Sequence, residues 1–131
     1  METAEFAFPG ELRDRLVAAI LRGEKTSTTG LYAEYEEEGE RIPDPGTQCL
    51  VVDSDGRGVA VIELTSVDVV RIKEIELQFA LDEGEGFNSV AEWRAAHEEF
   101  WASYRTEAID DDTLVVAERF RLVSRLDPPP R

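Results

Sequence analysis

Cysteine, histidine and basic side chains are scarce in this sequence, and each shortage removes a class of explanation. Cys49 is the only cysteine, so no disulfide can close within the chain, and without a basic neighbour close in sequence it gives no reason to expect a reactive thiol. His97 is the only histidine, which denies the chain a histidine acid–base pair. Lys and Arg number 14 against 29 Asp and Glu, a formal charge of −15. Such a chain repels polyanions over a Debye length of about 8 Å, and the counterion-releasing grip on duplex nucleic acid that clustered cations supply is excluded. Long apolar runs are missing as well. None nears the roughly 18 residues of a membrane span, and Met1 to Gly10 has no leader pattern. A soluble, cytoplasmic protein with no membrane partner is expected.

What remains is enough for one domain. The 131 residues, 42% of them hydrophobic, can bury a single core without disulfides or a structural metal. Leu12, Leu16 and Ile20, widened by Val17 and Leu21, predict an amphipathic helix that stops at Gly23. After Pro43-Asp44-Pro45-Gly46, the runs Cys49–Val52 and Gly58–Leu64 flank an Asp55-Gly56 turn and predict a β-hairpin. The loop from Asp53 is not a calcium loop, because its twelfth position is Leu64 where a glutamate is required. Thr65–Ile72 continues as a second hairpin or one bent strand. A short helix should close at Gly84. Ser89 and Glu92 form a capping box for a longer helix whose apolar side carries Trp93, His97, Phe100 and Trp101. Leu114–Val123 is the last strand, and residues 124–131 are a tail.

Two acidic clusters read as solvated, the first as an acidic face or a loop and the second as a turn, with no metal or acid–base role. Glu34, Glu36, Glu37, Glu38 and Glu40 crowd around Tyr35, and Asp110, Asp111 and Asp112 are consecutive, an arrangement in which side chains rarely aim at one point. No metal and no cofactor are expected. The order of elements lacks regular strand–helix alternation, which argues for an α+β fold with a mixed or antiparallel sheet.

The stretch Gly23-Glu24-Lys25-Thr26-Ser27-Thr28-Thr29-Gly30 gathers a cation and hydroxyls at a helix exit. A desolvated lysine can act as base for a threonine hydroxyl, so Lys25 and Thr28 are candidates for base and nucleophile. A regular strand would send residues three apart to opposite faces, so that pairing needs a bend. Glu85, framed by Gly84 and Gly86, can enter a cleft as a proton shuttle if burial raises its pKa; an ordinary acidic loop is the alternative. His97 is read chiefly as a packed, hydrogen-bonded histidine whose place beside Trp93 also suits a pocket wall.

In combination, Gly23-Glu24-Lys25-Thr26-Ser27-Thr28, the Pro45-Gly46-Thr47 turn with its hairpin, and Glu83-Gly84-Glu85-Gly86 followed by Trp93 resemble the ASCH family over about residues 12–123. The resemblance implies a small PUA-like β-barrel with helices covering its openings and a cleft for RNA or nucleoside-like ligands. Some members remove an acetyl group from N(4)-acetylcytidine with a lysine, a threonine and a glutamate, which match Lys25, Thr28 and Glu85. That type carries an arginine two residues after the threonine, where this chain has Gly30. The function expected is hydrolysis of an amide of a modified nucleoside or similar small molecule. Thr26, Tyr32, Trp93 and His97 are expected to contact the substrate, with Tyr32 and Trp93 as stacking faces. A noncatalytic module binding short single-stranded RNA, or a ribonuclease acting through Lys25 and Glu85, is the alternative.

Overall fold

A computed structural model describes residues 1–126. Its elements are β1 (Glu2–Ala4), α1 (Glu11–Leu21), β2 (Ser27–Leu31), α2 (Tyr32–Glu38), β3 (Gln48–Val52), β4 (Gly58–Arg71), α3 (Leu77–Asp82), α4 (Val90–Ala102) and β5 (Leu114–Arg125). The strands form one sheet in the order β1-β3-β4-β5-β2. Only β1 and β3 run parallel; the other pairs are antiparallel. The fold is therefore α+β with a mixed sheet, as expected, but the sheet is open. Three-residue β1 and five-residue β2 are its two edges. Among the described residues no ladder joins them, so the expected barrel does not close.

Strand alternation explains how one sheet supports two cores. Successive residues of β5 face opposite sides. Phe120 joins Phe6, Val17, Ile20, Cys49, Val51 and Ile62, whereas Val115 and Ala117 join Leu31, Ile72, Phe79, Ala80, Trp93 and Trp101. The Asp53–Gly56 turn forms as the sequence predicts, with Gly56 in the left-handed region at φ 79° and Asp53 Oδ1 accepting the backbone N–H groups of Asp55 and Arg57. The run after Leu64 is not a second hairpin. It continues β4 as one strand of 14 residues, bent where its register against β5 shifts at Val61/Ile62 and again between Leu64 and Ser66.

Three local expectations change. The buried residues of α1 are Arg13, Val17, Ala19 and Ile20, with Leu16 and Leu21 packed half-buried beside them, so the predicted stripe holds except that Arg13 is buried where Leu12 was expected; the Arg13 guanidinium donates to the backbone oxygens of Phe6 (3.1 Å) and Ala7 (2.7 Å). Leu12, next to it, is half-buried. Of the two readings of the acidic run after Tyr32, the solvated face is found and the loop is not: the run forms α2, which buries no residue and is closed by Gly39 at φ 67°. Arg105 holds Glu37 through two 2.9 Å bonds, which offsets the charge crowding that argued against order. Finally, Ser124 and Arg125 extend β5 rather than begin a tail; Pro128, Pro129 and Pro130 lie outside the described residues.

Candidate active site

The segments that carry Lys25 and Glu85 are far apart in sequence and are docked by backbone. The N–H of Thr26 donates to the carbonyl of Asp82 at 2.7 Å. Gly84 sits so close that a Cβ on it would lie 2.8 Å from Glu24 O and from Lys25 N and Cα. Its φ of +72° also favours glycine. Gly84 thus lets the Glu83–Glu85 turn lie flat on the Lys25 backbone.

Inside this joint lies an ion network centred on Glu83, which is 1% exposed. Its carboxylate accepts from Trp93 Nε1 at 2.6 Å and from Thr29 Oγ1 at 2.8 Å. Lys25 Nζ stands 3.6 Å from one carboxylate oxygen and donates to Ser27 O at 2.8 Å and Glu83 O at 3.3 Å. Two of the three ammonium protons are thus hydrogen-bonded, and the carboxylate neighbour adds charge at ion-pair distance. His97 completes the set. Its Nδ1 is 2.7 Å from Trp93 O and its Nε2 is 3.2 Å from Glu83. A carbonyl and a carboxylate can only accept, so both ring nitrogens donate, and the imidazolium is favoured.

The titration shifts agree with that geometry. Burial alone would raise Glu83, but the His97 hydrogen bond, the Lys25 charge and the Trp93 hydrogen bond outweigh it and hold the carboxyl at about 2. Burial alone would lower His97, and its bond to Glu83 more than reverses this, so its pKa is raised. Glu85 goes the other way: burial lifts it, partly opposed by Lys25. Donor atoms of Glu83, Glu85 and His97 lie within 4.8 Å of one another, a spacing that would fit a cation. The Lys25 ammonium already supplies that charge to Glu83.

A groove of about 1540 Å³ runs beside the network. It is lined by residues of all five strands, of α1, α2 and α4, and of the turn after α3. Lys25, Thr28, Glu85 and His97 all reach it; Thr26, Tyr32 and Trp93 are not among its lining residues. Trp93 is wholly buried, its indole spent on Glu83, so it offers no stacking face. Tyr32, the first residue of α2, does not line the groove, and Tyr35, one turn on, does. Thr26 is engaged through its backbone, its carbonyl accepting from Phe120. Lys25 and Thr28 share the groove, yet no hydrogen bond joins them among the described residues. The alternation within β2 explains this: Ser27 Oγ bonds to Phe79 O and Thr29 Oγ1 to Glu83, so Thr28 between them faces the opposite side.

The family model for the ASCH domain matches residues 3–124. The chain belongs to the ASCH domain family. No curated protein matches it. Among solved structures, the ASCH domain from Lactobacillus crispatus JV V101 is 31% identical, with TM-score 0.78 over 93% of this chain and 80% of that one. Protein EF3133 from Enterococcus faecalis V583 is 24% identical, with TM-score 0.83 over 95% and 77%. A mutant of the ZmASCH protein from Zymomonas mobilis is 12% identical, with TM-score 0.52 over 95% and 73%. These likenesses fit an ASCH, PUA-like fold with an open mixed sheet.

Three residues of this ASCH chain escaped the sequence reading. Glu83 stands two places from Glu85 in an acid-rich turn, and nothing in spacing marks it as the buried one. Thr29 was indistinguishable from its hydroxyl neighbours. Glu118 is the third. It pairs with Thr28 across β2 and β5, lines the groove, and is pushed up to about 7 by burial and by Glu2. Gly30, where an arginine was the resemblance's expectation, lies beneath the Tyr35 ring, whose Cε2 would be 3.6 Å from a Cβ there. The phenol fills that space.

Proposed function

We propose that this ASCH protein hydrolyses the amide of an N-acylated nucleoside, with N(4)-acetylcytidine as the first substrate to try. The observation that carries the reading is that Thr28 and Glu85, from segments docked through Gly84, line one groove beside a buried cationic network. Thr28 attacks the acyl carbonyl from its own face of β2. Glu85, whose pKa burial raises, is the group that passes a proton to the departing amine. Lys25 serves differently from the sequence expectation. With three oxygens around Nζ, it fixes Glu83 and lends positive potential to the groove instead of taking the Thr28 proton.

The charge of −15 favours a small neutral ligand over a polymer, because a polyanion would meet repulsion before it met the groove. Incubation of purified protein with N(4)-acetylcytidine, followed by chromatography, should show cytidine formed in proportion to enzyme. No product at high enzyme concentration would remove this substrate. RNA binding that falls with salt, without any turnover of acylated nucleosides, would support the noncatalytic module instead.

A further inference from the structure

We propose that Glu118 is the base for Thr28. The inference rests on the amide-hydrolase reading and supplies what Lys25 does not. Thr28 and Glu118 are directly opposed in the antiparallel β2–β5 ladder. Such partners carry side chains on one face with Cβ atoms roughly 4.5–5.5 Å apart. Both line the groove. The remaining hydroxyls of β2 are occupied, Ser27 by Phe79 O and Thr29 by Glu83, so Thr28 is the one left facing Glu118.

The surroundings of Glu118 suit a proton acceptor. No cation appears among the influences on its carboxyl. From β1 it faces Glu2, whose like charge favours the protonated form. Cys49 of β3 and Tyr35 of α2 stand near enough for its charge to raise their pKa values, and Glu40 acts on the same Tyr35. On β4 its partner is the uncharged Val67. The carboxyl is therefore held at about 7 by burial first and Glu2 second, well matched to proton exchange near neutrality.

The proton inventory closes. Glu118 carboxylate takes the Thr28 Oγ proton as Oγ bonds to the acyl carbon. The C–N bond breaks as Glu85 gives its proton to the amine, leaving an acyl ester on Thr28. Water then attacks the ester carbonyl and yields a proton to Glu85. The Oγ–C bond breaks, Thr28 recovers its proton from Glu118, and the carboxylic acid leaves.

The test needs no physiological substrate. Purified protein is treated with p-nitrophenyl acetate and the Thr28 peptide is followed by mass spectrometry across pH 5 to 9, for the native chain, Glu118→Gln and Thr28→Ala. Acetylation of Thr28 should rise with pH through about 7 in the native chain. Glu118→Gln should fold, slow acetylation by about 100-fold or more, and lose that rise. Equal rates and equal pH dependence in the native chain and Glu118→Gln would overturn the inference, as would no acetylation of Thr28 in either. The amide-hydrolase reading is judged separately, by cytidine release: a chain that releases cytidine while Glu118→Gln acetylates normally keeps the activity and loses this base.

Discussion

Lys25 and Glu83 form an ion pair at 3.6 Å with side chains only 1% and 2% exposed. Buried pairs of this kind survive when the remaining protons and lone pairs are also satisfied, and here they are, by Ser27, Thr29, Trp93 and His97. The pair fastens the segment leading into β2 to the turn after α3, and both residues line the groove.

Removing one partner should therefore be costly. Glu83→Ala leaves Lys25 and His97 as buried cations without a counter-charge, and a loss of about 3–5 kcal/mol is expected. Urea unfolding followed by circular dichroism checks it. Lys25→Met combined with Glu83→Leu should lose less than the sum of the two single changes, since no lone charge remains.

The network also sets a pH window. Glu83 is depressed from 4.5 to about 2, so its contribution is full above 4.5 and fades as pH falls toward 2. His97 is raised above 6.5, so its contribution is full below 6.5 and fades as pH rises through the folded value. The network should stabilise most between about 4.5 and 6.5. Because His97 is the only histidine, proton NMR of its ring should give one clean titration with a midpoint above 6.5. A midpoint below that would dismiss the imidazolium.

Gly84→Ala tests the docking itself. The added Cβ meets backbone at 2.8 Å and sits at φ +72°, where a non-glycine residue costs about 1–3 kcal/mol before any clash is counted. Expected are a lowered melting temperature and loss of turnover. Gly86→Ala, at φ +83° but with nothing within 4 Å of its Cβ position, should keep more of both.

Glu118 offers the opposite sign. Its carboxyl is raised from 4.5 to about 7, so the native state is disfavoured as pH rises through that interval, and the full penalty applies above it. Glu118→Gln should consequently stabilise the protein by about 1–3 kcal/mol at pH 8, with the difference vanishing below about 4.5. Thermal melts at the two pH values check this. A residue that costs stability where it stands is one whose placement calls for a functional account.

Local chemistry was legible in the sequence wherever the deciding contacts were local. Gly23 ending α1, the Asp55-Gly56 hairpin and the Ser89 cap of α4 all depend on neighbours within a few residues, and all three form; of the predicted capping box only the Ser89 half does, because the Glu92 carboxylate accepts from the N–H of Asn88 instead of Ser89. The ASCH resemblance singled out Lys25, Thr28 and Glu85 as a set, and all three line one groove. What stayed hidden was set by long-range contacts. Thr29 meets Glu83 across 54 positions and Arg105 meets Glu37 across 68, and no periodicity encodes either. Trp93 was placed on the correct helix face, but whether that face meets solvent or a buried carboxylate depends on where α3 turns.

Thr28 as the attacking group is the centre of the proposed chemistry. The most direct measurement is kcat/KM for N(4)-acetylcytidine in the native chain and in Thr28→Ala, with substrate affinity measured in parallel by calorimetry. Loss of about 1,000-fold or more in kcat/KM with affinity kept is the predicted result, since a nucleophile acts in the transition state and contributes little to ground-state binding. Thr28→Ala turning over at the native rate would contradict it.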